Sequence, residues 1–215
     1  MSNRTVEDRL REEYFLLSPE IKRVVHQLQT HIGCLLLPVT LGLKHHERVH
    51  IEGRAKECES AIGALRRRTE GKVFLEETPG RYTLTDLPDL AGVRVSVFPR
   101  SRLEQVHRIV RNEYSEWTPD PVRTAATSRI LAWKYRGYST ASSHVRAELQ
   151  VVSMLTGLFW QVEHAALYKP RDPALIGAAR KDLLLEYAER VYDAFDELED
   201  EIEREVQKDP EVTTH

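Results

Sequence analysis

Only two cysteines occur in 215 residues, Cys34 and Cys58, and their spacing suits neither a metal-ligand pair nor a redox pair. So sparse a complement implies buried free thiols in a reducing cytosol. An excess of one charge sign is also missing. Thirty-one basic against 34 acidic residues leave a net charge of −3, so no global field draws the chain to nucleic acid or anionic lipid. Long apolar runs are absent, the most apolar stretch, Ile32 to Leu43, containing Pro38 and being too short to span a bilayer. Met1-Ser2-Asn3-Arg4 is polar and has no signal-peptide core. These absences predict a soluble, cytoplasmic protein with no membrane partner.

Several chemical signatures are absent as well. The sequence has no Walker A, G-x-G-x-x-G or G-x-S-x-G pattern, which removes the standard NTPase, dinucleotide and esterase readings. His45-His46, His144 and His164 lack zinc-motif spacing, and His164 reads as packed or structural. No histidine is followed by aspartate, which disfavours a metal phosphohydrolase of that type.

The residues present are 41% hydrophobic, ordinary for a soluble globular protein, and 30% charged, on the high side, while the order of elements that follows predicts an α+β fold. Val6, Leu10, Tyr14 and Leu17 predict a first helix, and Ser18-Pro19 a second, with Ser18 as N-cap and Pro19 at the first helical position. Pro38 ends or kinks that second helix. Arg48-Val49-His50-Ile51 reads as a short strand leading through Glu52-Gly53 to a helix over about 55–68. The clearest strand is Val93 to Phe98, followed by a capping box, Ser101-Arg102-Leu103-Glu104. Trp117 to Thr127 reads as loop, with strands at 128–135 and 144–152 joined by a hairpin loop at 136–143. Helices over about 154–168 and 173–207 complete a small mixed sheet flanked by helices, with helical N- and C-terminal extensions. The acidic run Asp196, Glu197, Glu199, Asp200, Glu201 and Glu203 reads most simply as a solvated face. The expected domains are a helical segment at 1–46, a catalytic unit at 47–170 and a long helix with tail at 171–215.

Three pieces carry possible chemistry. Arg54 and Lys56, two apart at a strand-to-helix junction, can reach polyphosphate oxygens, although surface Arg-x-Lys pairs are common. Asp89, ahead of Leu90-Ala91-Gly92 and the strand bearing Arg94, suits Mg²⁺ or, with Pro88 and Asp86 beside it, a polar turn. In Ala147-Glu148-Leu149-Gln150-Val151, alternation puts Glu148 and Gln150 on one strand face, turned to a cleft or to solvent. A carboxylate inside so apolar a strand calls for a metal ion, a base role or a cationic neighbour.

In order and wording these pieces resemble the RelA/SpoT-type alarmone (ppGpp) synthetase domain over about residues 48–169. The matching segments are Gly53-Arg54-Ala55-Lys56 with Ser60, Asp89-Leu90-Ala91-Gly92-Val93-Arg94-Val95, and Glu148-Leu149-Gln150 followed by Trp160, Glu163-His164 and Tyr168-Lys169. The resemblance implies a nucleotidyltransferase-like synthetase fold and transfer of pyrophosphate from ATP to the 3′-hydroxyl of GDP or GTP. It implies that Arg54, Lys56, Arg94 and Ser60 hold ATP, and that Asp89 and Glu148 bind Mg²⁺, with Glu148 activating the hydroxyl. It also implies a stand-alone synthetase without a hydrolase domain, and homo-oligomers through the terminal helices.

Two departures fall on the acceptor side. The family's Gly-Tyr-x-Ser-x-His loop carries a tyrosine that stacks on the acceptor guanine; here Ala125, Ala126 and Thr127 stand at that place. The loss corresponds to about 1–3 kcal/mol of base affinity. Gly137-Tyr138 is the literal match, but on this alignment Tyr138 lies at the hairpin turn in a structural role, while it and Gln150 remain acceptor-side candidates. The family's Ile-Arg-Thr after the glutamate is Val151-Val152-Ser153 here. The acceptor is therefore open among guanine nucleotides, adenine nucleotides and a tRNA 3′ end, the last not indicated by net charge. The alternative function is a catalytically degenerate member that binds nucleotide or a protein partner and regulates without turnover.

Overall fold

The apolar stripe of the first 41 residues runs straight through Pro19. In the computed structural model, which describes residues 5–76, 78–123, 130–163 and 178–208, helix α1 spans Val6–Leu41 without a break. Thr5, not Ser18, caps it, its side chain accepting from the Asp8 amide while Asp8 reaches back to the Thr5 amide. An interior proline costs about 3 kcal/mol. Against that stand Val6, Leu10, Ile21, Val24, Leu28, Ile32, Leu36 and Val39, all buried, each contributing about 1.5–3 kcal/mol. Burial along one face outweighs the local break, and the expected division into two helices is corrected. At 36 residues, with an 18-residue window of mean hydropathy 1.2, α1 is long and apolar enough by length and composition to cross a bilayer, contrary to the expectation from Ile32–Leu43. Its stripe belongs to the same buried cluster as the sheet. Cys34 is exposed and Cys58 half-buried, so the expected buried thiols are corrected too.

The remaining elements are β1 (Arg48–Ala55), α2 (Cys58–Arg68), β2 (Ala91–Phe98), α3 (Arg102–Glu113), β3 (Thr118–Arg123), β4 (Ile130–Tyr138), β5 (Arg146–Ser153), α4 (Met154–Glu163) and α5 (Ala178–Lys208). The strands form one sheet in the order β1-β2-β5-β4-β3, with β2 and β5 parallel and every other pair antiparallel. Strand β1 runs to Ala55, so Arg54 lies within it rather than just after it.

Segment 117–127, expected as loop, contributes β3. Pro119 and Pro121 oppose Tyr135 and Trp133, two apart and therefore on the same side of the strand. On an outer strand the missing N–H groups can face the open edge, where they deny a donor row to a further strand. Strand β4 continues to Tyr138 rather than ending at 135. The former loop-tyrosine positions Ala125, Ala126 and Thr127 lie outside the described residues, as do His164, Tyr168 and Lys169.

Period-2 alternation gives the sheet two unlike faces. Val93, Val95, Val97, Ala147, Leu149, Val151 and Tyr135 are buried with the apolar residues of α1, α2 and α3. Gly53 lets α1 approach β1, since a Cβ there would lie 2.6 Å from Gln29 Oε1 and 2.7 Å from Val25 Cγ1. The opposite face is polar at the Lys56 end. At the other end α4 covers it: a Cβ on Gly157 would lie 3.3 Å from Val152 Cγ1.

Helix α5 packs on α4, Phe159 meeting Tyr192 edge-on at 5.2 Å between ring centroids. Its acidic run is not simply solvated. Glu199 is 1% exposed and accepts from the Arg100 amide and from Ser153 Oγ; Asp196 pairs with the Arg100 guanidinium. Ser101 Oγ donates to Glu203, so the expected capping box at Ser101–Glu104 is not formed. Burial is the main cause that pushes the Glu199 carboxyl up to about 7, against the two donors that favour its charge.

Candidate functional site

The polar face is built from rows of directly opposed residues. One row reads Arg54 (β1), Gly92 (β2), Glu148 (β5), Arg136 (β4). The next reads Glu52, Arg94, Gln150, Lys134 and, on β3, Asp120. Arg94 and Gln150, 56 positions apart in sequence, thereby lie on neighbouring strands, which are spaced about 4.8 Å apart. The sheet brings together the three pieces singled out in the sequence: Arg54 and Lys56, Asp89 and Arg94, Glu148 and Gln150.

Lys56 follows β1 directly, its amide donating to Leu90 O (2.9 Å) and its own carbonyl accepting from Tyr14 Oη (2.8 Å). Its ammonium is paired with Asp89 Oδ2. Burial depresses the Lys56 pKa, and the Asp89 hydrogen bond and charge, with the Glu148 charge, only partly offset it. Asp89 lies in the turn Pro88-Asp89 ahead of β2, as one of its two expected readings had it, and there it pairs with Lys56, which also feels the Glu148 charge. Its second oxygen, Oδ1, is buried with no hydrogen-bond partner.

Glu148, with its side chain 13% exposed, is held at both oxygens. Gln150 Nε2 donates to Oε1 (2.6 Å) and Arg136 Nε to Oε2 (2.9 Å). The network runs on, with Arg94 Nε donating to Gln150 Oε1 (3.1 Å) and Arg136 Nη1 to Asp120 Oδ2 (3.1 Å). Burial lowers the Arg94 pKa; for Arg136 burial is outweighed by Glu148 and Asp120, and the net direction is up. Arg54 is exposed and has no carboxylate partner among the described residues. Ser60 is half-buried in the first turn of α2, where the helix N-terminus favours an anion.

Two carboxylates, one with an orphaned buried oxygen, fit Mg²⁺, which takes one or two protein carboxylates and completes its shell with water and substrate phosphates. Among the described residues no cluster of three or more His, Cys, Asp or Glu forms, so a closed all-protein metal cage is not built here.

Tyr138 is not in the turn. It is the last residue of β4, paired with Arg146, on the same face as Arg136 and one step beyond Glu148. It is 46% exposed, accepts from Arg146 Nε (3.0 Å) and has that guanidinium 5.3 Å from its ring centroid. Val152, where the related motif has arginine, is fully buried under α4, a place with no room for a solvated cation. Sequence reading missed Lys134, Arg136 and Asp120. The signal was present in the alternation Lys134-Tyr135-Arg136, but placing the hairpin loop at 136–143 hid it.

No family model and no curated protein matches the sequence. Solved structures do. The small alarmone synthetase 1 of Bacillus subtilis, bound to its product pppGpp, is 19% identical with a TM-score of 0.64, covering 91% of this chain and 99% of that one. The same enzyme bound to AMPCPP matches at 20% identity and a TM-score of 0.59, covering 91% and 98%. A GTP pyrophosphokinase family protein from Streptococcus pneumoniae is 23% identical with a TM-score of 0.59, covering 92% and 95%. The chain has the fold of these proteins, a mixed five-stranded sheet flanked by helices, as the sequence motifs predict.

Proposed function

We propose that this chain, with the fold of the small alarmone synthetases, is a nucleotide pyrophosphokinase that moves pyrophosphate from ATP to the 3′-hydroxyl of a guanine nucleotide or related acceptor. The observation that carries the reading is the shared polar face, on which Lys56–Asp89, Arg94 and Glu148 meet across three adjacent strands.

In this reading Arg54 and Arg94 flank the adenine, and Lys56 and Ser60 bind the donor phosphates beside the α2 N-terminus. Asp89 and Glu148 would hold Mg²⁺, which supplies neutralisation of phosphate charge when bound. The acceptor 3′-oxygen attacks the β-phosphorus of ATP, the bond from that phosphorus to the α–β bridging oxygen breaks and AMP leaves with the oxygen; Glu148 takes the hydroxyl proton. Arg136 and Gln150 hold the Glu148 carboxylate in a fixed orientation before substrate arrives. Cytoplasmic location and self-association through α1 and α5, where Leu16, Leu183 and Tyr187 are exposed, belong to the same proposal.

The test is incubation of purified protein with Mg²⁺ and γ-labelled ATP, with each guanine nucleotide, adenine nucleotide or bulk tRNA. A labelled pyrophosphorylated product supports the reading, and its identity names the acceptor. ATP binding without product under any pairing overturns it in favour of a nucleotide-binding regulator, the reading to which Val152 points.

A further inference from the structure

One buried acid takes no part in the proposed chemistry. Glu199 of α5 is 1% exposed and lies where three other segments meet: the turn after β2, the end of β5 and the first turn of α4. Its Oε2 accepts from the Arg100 amide, and its Oε1 lies 3.3 Å from Ser153 Oγ. Ser153 Oγ is in turn 3.1 Å from Thr156 Oγ1 and accepts from the Thr156 amide (3.3 Å), which ties the end of β5 to the start of α4. Among the described residues, the charged groups facing Glu199 are Arg100 from the turn and Asp196 from α5, and these two pair with each other. Strand β5 and helix α4 present hydroxyls to it, Ser153 directly and Thr156 behind.

Ser153 has one hydroxyl proton and two acceptors within reach. With Glu199 protonated, the acid donates to Ser153 Oγ and the serine proton is free for Thr156. With Glu199 ionised, the serine proton turns to the carboxylate, and a buried charge is left beside Asp196. Burial brings the exchange between these two arrangements to about pH 7. Helix α4 carries the difference to the polar face. On one side its Phe159 packs on Tyr192 and Phe195 of α5, at 5.2 and 6.2 Å between ring centroids. On the other side is Gly157, next to Thr156, where a Cβ would lie 3.4 Å from Ser96 Oγ and 4.0 Å from Arg94 Cδ. The half-buried stem of Arg94 thus has α4 against it, while its Nε donates to Gln150.

We propose that Glu199 is a proton-operated latch: protonated, it fixes α4 and α5 against the sheet with Arg94 in place, and ionised, it loosens them and weakens binding of the nucleotide donor. The role of Arg94 rests on the pyrophosphokinase reading, to which the latch adds a regulation of the same site. The carboxyl holds its proton more tightly in the folded chain than in the unfolded one, so the latch is closed below about pH 7 and opens as pH rises through that value. Glu199 is a positioning residue, acting through Ser153 and α4.

The test follows the purified full-length protein between pH 6 and pH 8 with two readouts. The first is amide hydrogen exchange of α4 and α5, corrected for the pH dependence of free-amide exchange. The second is calorimetric affinity for a non-hydrolysable ATP analogue with Mg²⁺. The protonated fraction of a group titrating near pH 7 falls about tenfold over this range, so protection of α4 and affinity for the analogue are expected to fall together, by up to about tenfold. Glu199→Gln, which cannot ionise, is expected to hold both at the parent's pH 6 level, and its titration removes the analogue's own ionisation from the comparison. Ser153→Ala, which removes the partner of the acid proton, is expected to show at pH 6 the loose α4 that the parent shows at pH 8. Protection of α4 that is independent of pH, or that changes equally in parent and Glu199→Gln, overturns the latch. Protection that falls while affinity for the analogue does not overturns the coupling to Arg94. If no analogue binds at any pH, the pyrophosphokinase reading falls, and with it the control of donor binding; hydrogen exchange then still decides whether Glu199 holds α4.

Discussion

Glu199→Gln tests the buried attachment of the C-terminal helix. In the folded chain the Glu199 carboxyl is 1% exposed and its pKa rises from 4.5 to about 7, chiefly through burial. The folded state therefore holds this proton more tightly than the unfolded state. Its contribution to stability is complete below about pH 4.5, declines as pH rises towards 7, and is lost above that. A rise of that size, at about 1.4 kcal/mol per unit, corresponds to about 3 kcal/mol across the window. Glutamine keeps an oxygen for the Arg100 amide and offers an N–H to Ser153 Oγ, which also accepts from the Thr156 amide. Arg100 and Asp196 are the charged groups beside the site, and neither is altered by the change. The variant is expected to match the parent near pH 4.5 and to exceed it by up to about 3 kcal/mol at pH 8. Urea unfolding at intervals between these values, followed by circular dichroism, measures the difference. A parent-minus-variant difference that does not change with pH, or a variant weaker at pH 8, refutes the argument that an ionised carboxylate is held there at a cost.

Asp89→Asn and Glu148→Gln, which preserve size, are each expected to reduce pyrophosphate transfer by about 10²-fold or more, measured as initial rate with labelled ATP. A rate within a few-fold of the parent would remove that residue from the chemistry. Gly53→Ala and Gly137→Ala both bring a Cβ into contact under 3.0 Å, but with different neighbours. At Gly53 the contacts are the end of the Gln29 side chain, which can swing away, and one methyl of Val25 at 2.7 Å; at Gly137 all three are atoms of the rigid Trp117 indole, the nearest 2.5 Å distant, and Trp117 is 7% exposed. Gly137→Ala is expected to be the more destabilising, by about 1–3 kcal/mol in urea unfolding, with Gly53→Ala nearer the low end. The reverse order would show that Trp117 can move. Thr5→Ala is expected to cost about 1 kcal/mol, read as a lower midpoint, because the Thr5 side chain, as N-cap of α1, accepts from the Asp8 amide.

The sequence by itself determined the local alternation of β2 and β5, and with it that Arg94, Glu148 and Gln150 face away from the apolar core. It also set the motif spacing from which the fold was expected. These properties reside in a few neighbouring residues, where side-chain parity is dictated by the pleat. Tertiary structure decided what depends on distant partners. Pro19 does not divide α1 because a continuous buried stripe outweighs a local backbone cost. Pro119 and Pro121 are compatible with a strand because β3 lies at the sheet edge, a position that no local pattern specifies. Glu199, one carboxylate in an acidic run, is buried because the turn at Arg100 and the end of β5 meet α5 there. Lys134 and Arg136 become part of the site only through the pairing of β4 with β5, which aligns their charge with Glu148. Long-range pairing is set by the summed burial of both faces of the sheet, and that sum is not written in any single segment.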